Sequence, residues 1–293
     1  MIDNEFKLKK ERSLGDMITD SFTFVRVYMP EIKDVFSKFI LPALVVVLIS
    51  SAFVEYMRQS ITGSLLDDSN AFDLLSGGVI TSIAFLISVL AQFAFYIVSY
   101  IVIFSLMRQK ASNETFLVDS VAKDLKENFL HLAGILFVGI VMVIIAAIFL
   151  VIPAIYLIVP VSILPAIAIL GKKNFSETFT TAFQLIKNNW WITFVTLIIF
   201  GLIISLGSII FQVPLFIYYL IKFIFGYVDG MDESGILFSE DTDWILLILT
   251  IIGNFGGFLF NLLSVILTGL IYYNLDEFHN KTGTYEDIES IGS

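Results

Sequence analysis

The chain contains no cysteine and few charged residues. Without thiols it cannot form disulfides, thiolate metal sites, a cysteine nucleophile or a cysteine-linked lipid anchor. Its 293 residues are 57% apolar and 15% charged, whereas ordinary soluble domains are about 25% charged. A soluble core of this size could not bury so much apolar surface. The composition therefore excludes a soluble enzyme, a disordered chain and a secreted disulfide scaffold.

Histidine is also scarce, and the common catalytic motifs are missing from the sequence. His131 and His279 are too few for a metal site unless several carboxylates join them. There is no P-loop, G-x-G-x-x-G, G-x-S-x-G or H-E-x-x-H motif. Proton-coupled transport usually requires an ionisable residue deep in the membrane. The apolar stretches contain none. We therefore predict a protein that is not an enzyme and uses no cofactor or metal.

Long apolar stretches predict an all-α polytopic membrane protein, because a bilayer span needs about 20 apolar residues. Leu132–Leu170 runs for 39 residues without a charge, which is too long for one span, and Pro153 is expected to break it. Val213–Val228 opens with Pro214 and contains Lys222, so we expect an interfacial or re-entrant helix there, with a seventh span as the alternative. The six predicted spans are Phe36–Val54, Val79–Met107, 129–151, 154–170, Trp190–Phe211 and Trp244–Tyr273.

Positive charge is concentrated in or directly beside four segments: 1–35, 108–128, 171–189 and 274–293. Six spans place these segments on one side of the membrane, and they account for 15 of the 17 Lys and Arg residues. The positive-inside rule assigns that side to the cytoplasm, including the short acidic tail 274–293. With no apolar region near its start, the chain is expected to use the first span as its insertion signal.

The net charge of −10 argues against nucleic acid as a partner. Acidic residues cluster on the side opposite the Lys and Arg residues, chiefly in Asp229–Asp243. The spacing there does not match an EF-hand, so we expect solvated charge that helps to fix the topology. A weak divalent-cation site is the alternative.

Amphipathic stretches precede three of the spans. Apolar residues recur every three to four positions in Leu14–Phe39 and in Phe175–Trp190, and a fainter version covers Leu117–Phe129. This spacing predicts helices that lie along the membrane surface. Pro30 is expected to bend or split the first one.

The first and last amphipathic stretches align at an offset of 161 residues, which pairs Asp16 with Glu177 and Phe22 with Phe183. We therefore predict a single integral membrane domain of three hairpins, each preceded by an amphipathic surface helix. Duplication is one hypothesis, and the general amphipathic character of membrane-entry helices is the other. The repeat-like units are 14–107, 116–170 and 175–273.

A family resemblance is carried by Val159–Trp191, which reads VPVSILPAIAILGKKNFSETFTTAFQLIKNNWW. An apolar span with Pro165 is followed by a short basic turn and an amphipathic helix that leads into the next span. This segment resembles the membrane domain of some bacterial glycerophosphodiester phosphodiesterases and of related uncharacterised bacterial inner-membrane proteins. Arg12–Phe24 is similar to the start of those proteins.

The resemblance implies a multi-pass module of the bacterial inner membrane. In the phosphodiesterases the chemistry belongs to a separate soluble domain with His, Glu and Asp ligands. The sequence shows no counterpart of that domain, so the resemblance supplies no catalytic residue.

The sixth span is the richest in small and polar residues. Gly253 and Gly257 form a G-x-x-x-G step that lets two helices approach closely, and Asn254 and Asn261 share one face. An unpaired amide in hydrocarbon is costly, so this face is expected to pack on protein or to line a polar groove for a lipid headgroup or small solute. The candidate residues are Gln92, Gly253, Asn254, Gly257, Asn261 and Ser264.

Basic and aromatic residues flank the cytoplasmic start of the fifth span, where interfacial anchors are usual. Lysines there attract anionic headgroups at about 1 kcal/mol per charge. The candidate lipid contacts are Lys172, Lys173, Lys187, Trp190 and Trp191.

Many packing features and no evident chemistry favour an accessory or scaffold subunit of a membrane protein complex. Its partners would be membrane lipids and either another membrane protein or a second copy of the chain. The alternative function is a transporter or lipid-handling protein with a polar groove along the last transmembrane helix.

Overall fold

The computed structural model of the chain describes residues 6–66, 71–112, 115–228 and 243–285, which contain no β-strand and are almost entirely helical. Six helical stretches are long and apolar enough to cross a membrane, which confirms the all-α membrane class: Met29–Ile61, Leu75–Ala111, Val118–Phe149, Val151–Ile169, Trp190–Phe225 and Trp244–Asn280. The acidic segment 229–242 lies outside the described residues. The α-helices are α1 Leu14–Val27, α2 Met29–Val35, α3 Leu41–Leu66, α4 Ala71–Ala111, α5 Val118–Phe149, α6 Val151–Ser162, α7 Leu164–Ile169, α8 Phe175–Ile186, α9 Trp190–Val228 and α10 Trp244–Asn280. A π-helical segment, Phe36–Ile40, joins α2 to α3.

The chain divides into two compact units. The first comprises Met1–Ile40, Tyr96–Ile203 and Leu262–Ser293, and the second comprises Leu41–Phe95 and Ile204–Asn261. In the first unit the carboxyl half of α4 is buried on all sides, from Ile101 to Met107. A helix that is apolar all round is expected at the centre of a core.

Local sequence signals explain where the first surface helix begins and ends. Ser13 Oγ accepts a hydrogen bond from Asp16 N at 3.3 Å, and the Asp16 carboxylate accepts one from Ser13 N at 3.2 Å. This is a capping box, which satisfies two backbone donors at the start of α1. The helix ends at Tyr28, and Pro30 lies in the first turn of α2, where its missing N–H costs nothing. Pro30 therefore splits the surface helix, as predicted.

Helices α1 and α8 keep the 161-residue offset in their structure. Asn174 caps α8 by accepting a hydrogen bond from Glu177 N at 3.0 Å, and it aligns with Ser13, the cap of α1. The helices that follow begin at Met29 and Trp190, which align as well. The two segments thus share their start, their break and the start of the next helix.

The protein-facing sides of α1 and α8 differ from the apolar stripes predicted for them. Three buried positions share the same offset: Met17, Ser21 and Phe24 in α1, and Thr178, Ala182 and Leu185 in α8. Ile186, from the predicted stripe, is also buried. Phe22 and Phe175, from the predicted stripes, are 41% and 42% exposed. A pattern based on hydrophobicity alone misses a protein-facing side that contains Ser and Thr. The exposed stripe is the side suited to lipid.

The third amphipathic stretch is not a separate surface helix. It forms the first turns of α5, whose N-cap residue Leu117 makes no side-chain cap. At its other end α5 stops at Phe149, Leu150 is extended, and α6 begins at Val151. The predicted break is therefore present just before Pro153, which lies in the first turn of α6, where proline is tolerated.

The expectation of a separate interfacial or re-entrant helix at Val213–Val228 is wrong, because α9 continues through Pro214 as one helix of 39 residues. Lys222 Nζ lies 2.8 Å from Asp243 Oδ2, which also accepts a hydrogen bond from Tyr218. Burial raises the pKa of Asp243, but its bonds to Lys222 and Tyr218 outweigh burial and hold that pKa below the ordinary value. The ion pair lets an apolar helix carry a lysine without interruption.

Close packing in the second unit involves a different glycine pair from the one predicted. A Cβ at Gly253 would lie 2.8 Å from Gln212 Oε1, and a Cβ at Gly256 would overlap the Phe211 side chain near its backbone. At Gly257, by contrast, no atom of the described chain lies within 4 Å of a Cβ. Helix α10 therefore approaches α9 through Gly253 and Gly256.

This packing predicts opposite effects for two neighbouring substitutions. Gly256→Ala should lower stability by about 1–3 kcal/mol, because the new methyl group displaces Phe211. Gly257→Ala should be neutral or stabilising by up to about 1 kcal/mol, since alanine favours helix and the site is open. Thermal unfolding in detergent measures both. Equal effects of the two substitutions would contradict the packing described here.

Candidate functional site

Helices α1, α9 and α10 border a cavity of about 300 Å³ in the first unit. We call it the α1/α9/α10 cavity. Its volume lies at the small end of ligand sites. Polar groups and apolar side chains both line it, which suits an amphiphilic molecule. The lining residues are Glu11, Arg12, Ser13, Met17, Asn189, Ile192, Thr193, Ile271, Asn274, Leu275 and Phe278.

Arg12 fixes one wall of the cavity. Its side chain is fully buried, and its Nε donates to Asp20 Oδ2 at 2.9 Å. Its guanidinium also donates to the carbonyl oxygens of Leu8 and Lys7, each at 2.6 Å, while its backbone N donates to Asn274 Oδ1 at 2.6 Å. Burial lowers the pKa of Arg12 and Asp20 opposes that effect, so the guanidinium stays charged at neutral pH. Arg12 thereby ties the N-terminal segment to α10.

Asn189 provides a polar group with no partner. Its backbone N donates to Ile186 O at 2.9 Å, and its carbonyl accepts from Thr193 N at 3.0 Å at the start of α9. Its side-chain Nδ2 is buried and has no hydrogen-bond partner among the described residues. A buried unpaired donor costs about 1–3 kcal/mol. An acceptor from a molecule in the cavity would remove that cost, and the positive end of the α9 dipole favours an anionic one.

Aromatic side chains of the kind that favour a membrane–water boundary lie at the start of α9, beside the cavity. The Trp190 ring stacks on Tyr156, with centroids 5.6 Å apart and planes at 11°, and its Nε1 donates to Tyr156 O at 3.1 Å. Trp191 is 72% exposed. Indole rings with one polar edge are typical of the interface, so the cavity residues Ile192 and Thr193 lie within one turn of it.

The predicted lipid-contact lysines all lie on the surface. Lys187, in the turn between α8 and α9, is exposed. Lys172 and Lys173 are exposed at the other end of α8, where the carbonyl of Lys173 is 3.2 Å from His131 Nε2. They are therefore available to headgroups, and such a role stays a prediction.

The predicted groove residues do not line this cavity. Gln92 Nε2 donates to Ser88 Oγ on its own helix at 3.3 Å, and Asn254 and Asn261 are half-buried. Ser264 accepts from Thr268 Oγ1 through its carbonyl at 2.9 Å. The cavity uses Asn274 instead, on the same helix but beyond the span predicted from sequence.

Sequence reasoning missed both amides of the cavity. Asn189 belongs to the segment Val159–Trp191, in which only the basic and aromatic neighbours, such as Lys187 and Trp190, carry a recognisable lipid-contact pattern. Asn274 contacts Arg12 across 262 positions, and nothing in a single sequence signals a pairing at that distance. The usable signal was an amide directly before a long apolar helix, since that position often caps a helix.

A second polar cluster holds α4, α5 and α7 together. Asp124 accepts hydrogen bonds from Ser105 Oγ at 2.5 Å and from Arg108, whose Nη1 lies 3.4 Å from Ile169 O. The carboxylate of Asp124 and the guanidinium of Arg108 are thus paired within the fold. The cluster therefore has a structural role.

Comparisons of the chain with protein-family models, curated proteins and solved structures find no match. The resemblance to phosphodiesterase membrane domains therefore stays a prediction.

The environment of Arg12 generates a stability prediction. Arg12→Lys places one nitrogen where a planar guanidinium serves several acceptors, and each carbonyl left unpaired costs about 1–3 kcal/mol. The variant should unfold at a lower temperature and lose residues 6–12 to protease faster than the wild type. The matched control is Arg26→Lys, since Arg26 is exposed in the last turn of α1. If the two variants behave alike, Arg12 does not anchor the segment.

Proposed function

We propose that this protein is a non-enzymatic, multi-pass membrane protein that binds a phospholipid headgroup in the α1/α9/α10 cavity. The observation that carries the proposal is the buried, unpaired amide nitrogen of Asn189, a residue that lines a cavity of mixed polarity beside a tryptophan pair. This role corresponds to the lipid-handling alternative predicted from the sequence. The site lies nearer the carboxyl end of the last transmembrane helix than that prediction placed it.

The donors and acceptors around the cavity favour a zwitterionic headgroup. A phosphate or ester oxygen would accept from Asn189 Nδ2 near the first N–H groups of α9. Glu11 is exposed on the cavity wall, where its carboxylate can pair with an ammonium group. Ile192 and Phe278 supply apolar surface for the start of the acyl chains. An aminophospholipid satisfies all three features together.

An accessory or scaffold role is the second candidate, and open glycines on apolar helices favour it. A Cβ at Gly201 or at Gly257 would meet no described atom within 4 Å. Such positions let a helix from another chain approach closely in a membrane. Lipid binding is compatible with this role.

We further propose that the protein resides in a bacterial inner membrane with both termini in the cytoplasm. The charge distribution supports this orientation, because 15 of the 17 Lys and Arg residues then lie in or beside cytoplasmic segments. The resemblance noted in the sequence supports the bacterial assignment.

Lipid retention tests the headgroup site directly. Native mass spectrometry after mild detergent extraction should show one bound phospholipid per chain. Asn189→Leu should lower the bound fraction by about tenfold, the effect of losing about 1.4 kcal/mol of hydrogen bonding. Asn188→Leu is the matched control, because Asn188 is exposed one position away.

Each outcome of the retention experiment has a clear meaning. Loss of lipid from the Asn189 variant alone supports the site. Equal retention in both variants, or no lipid on the wild type, would refute it. A stoichiometric protein partner on a lipid-free chain would favour the accessory role instead.

A further inference from the structure

The third and fourth apolar stretches form an antiparallel hairpin, made of α5 on one side and α6 with α7 on the other. A Cβ at Gly139 would lie 3.0 Å from Leu164 Cδ1, which places the middles of the two arms in contact. The hairpin turns at Leu150. Length and composition alone allow each arm to cross a bilayer.

Helix α8 runs back along this hairpin towards its turn. At its start, Phe175 lies 3.7 Å from where a Cβ of Gly134 would be, near the open end of the hairpin. Beyond its end, Trp190 stacks on Tyr156 and donates to its carbonyl. The 12 residues of α8 extend about 18 Å, so α8 follows most of the α6–α7 arm.

One face of α8 is polar and exposed along its whole length. Charged groups at hydrocarbon depth are costly and usually face protein or water-filled cavities, so this face requires water or headgroups at both ends of α8. Tyr156, held by Trp190, therefore lies close to the membrane surface. The exposed polar residues are Ser176, Glu177, Thr180, Gln184, Lys187 and Asn188.

The remaining part of the hairpin is too short to cross. Six residues separate Tyr156 from Leu150, which amounts to about 9 Å of helix, whereas the hydrocarbon core is about 30 Å thick. A turn that begins its descent at Tyr156 ends inside the nearer leaflet.

The inclination of α8 to α10 supports the same conclusion independently. A Cβ at Gly171, before α8, would lie 3.0 Å from Tyr272 Oη, and Leu185 O, near its end, lies 3.1 Å from His279 Nε2. Tyr272 and His279 are seven residues apart, about 10 Å along α10. Since α8 is about 18 Å long, it is steeply inclined to α10, a helix long and apolar enough to cross the membrane.

The turn itself is suited to acyl chains. Its five residues, Ile148 to Ile152, are all apolar and between 65% and 79% exposed. In water this surface would be strongly unfavourable, and amphipathic elements at interfaces bury such surface about 5–10 Å into a leaflet. We infer that the α5–α7 hairpin does not cross the membrane but lies along the surface on the side of the termini, with Ile148–Ile152 inserted into that leaflet.

The charge distribution is compatible with this topology. If only α3, α4, α9 and α10 cross, then segments 108–128 and 171–189 stay on the side of the termini. The four-span and six-span arrangements thus place the same Lys and Arg residues on the same side. The positive-inside rule does not distinguish them.

Single-cysteine labelling tests the position of the turn, and the chain has no native cysteine to interfere. Leu150→Cys is labelled with the fluorophore NBD, and bleaching by membrane-impermeant dithionite is compared in right-side-out and inside-out vesicles. Ser176→Cys reports the side of the termini, and Ser60→Cys, exposed in α3 beyond the predicted first span, reports the opposite side. Phe149→Cys serves as a second turn position if the first variant fails to elute as a folded species.

The result expected is bleaching at Leu150 several-fold faster from the side that bleaches Ser176. Equal rates from both sides, or faster bleaching from the side that bleaches Ser60, would overturn the inference in favour of two conventional spans. Lipids carrying a nitroxide quencher at mid-chain depth should also quench the Leu150 label strongly and the Ser176 label weakly. The reverse order would likewise overturn it.

Discussion

The fold depends on pairing every charge that it draws away from water. An isolated charge in an apolar interior is too costly to keep, whereas a charge with an opposite partner and further hydrogen bonds is tolerated. Among the described residues, four pairs do this: Arg12 with Asp20, Arg108 with Asp124, Lys110 with Glu31, and Lys222 with Asp243. Each lies at an end of a long helix or beside one. Apolar helices of nearly 40 residues are possible because each of these pairs neutralises a charge that would otherwise end or break the apolar helix.

Features that depend on neighbouring residues were accessible from the sequence. The break before Pro153, the split at Pro30 and the offset between the surface helices all follow from proline chemistry and from periodicity. The continuity of α9 could not be predicted, because the partner of Lys222 lies 21 residues away in an acidic segment that the sequence alone marks as solvated charge. The α1/α9/α10 cavity could not be predicted either, because its lining residues come from segments near both ends of the chain.

The structural details favour a two-copy repeat over a three-copy one. Segments α1–α2 and α8–α9 agree in their side-chain cap, in their buried positions and in where the next helix begins. The start of α5 shares none of these, because Leu117 provides no side-chain cap and no break separates the amphipathic turns from the apolar ones. An apolar stripe alone therefore does not identify a copy. Capping and buried small residues are the better markers, since they specify how a surface helix meets the next helix.

The cavity and the hairpin meet at the start of α9, and helix energetics explain why. A helix begins with backbone N–H groups that have no partner within it, and in hydrocarbon such groups would be left unsatisfied. The inclined α8 brings the start of α9 to the surface, where water or a headgroup can pair with them. Trp190 contacts the hairpin at that level, and Asn189, one residue earlier, lines the cavity. A headgroup bound there and a hairpin turn inserted nearby would therefore occupy the same leaflet. The inclination of α8 thus explains both the position of the cavity near the surface and the shallow insertion of the hairpin turn.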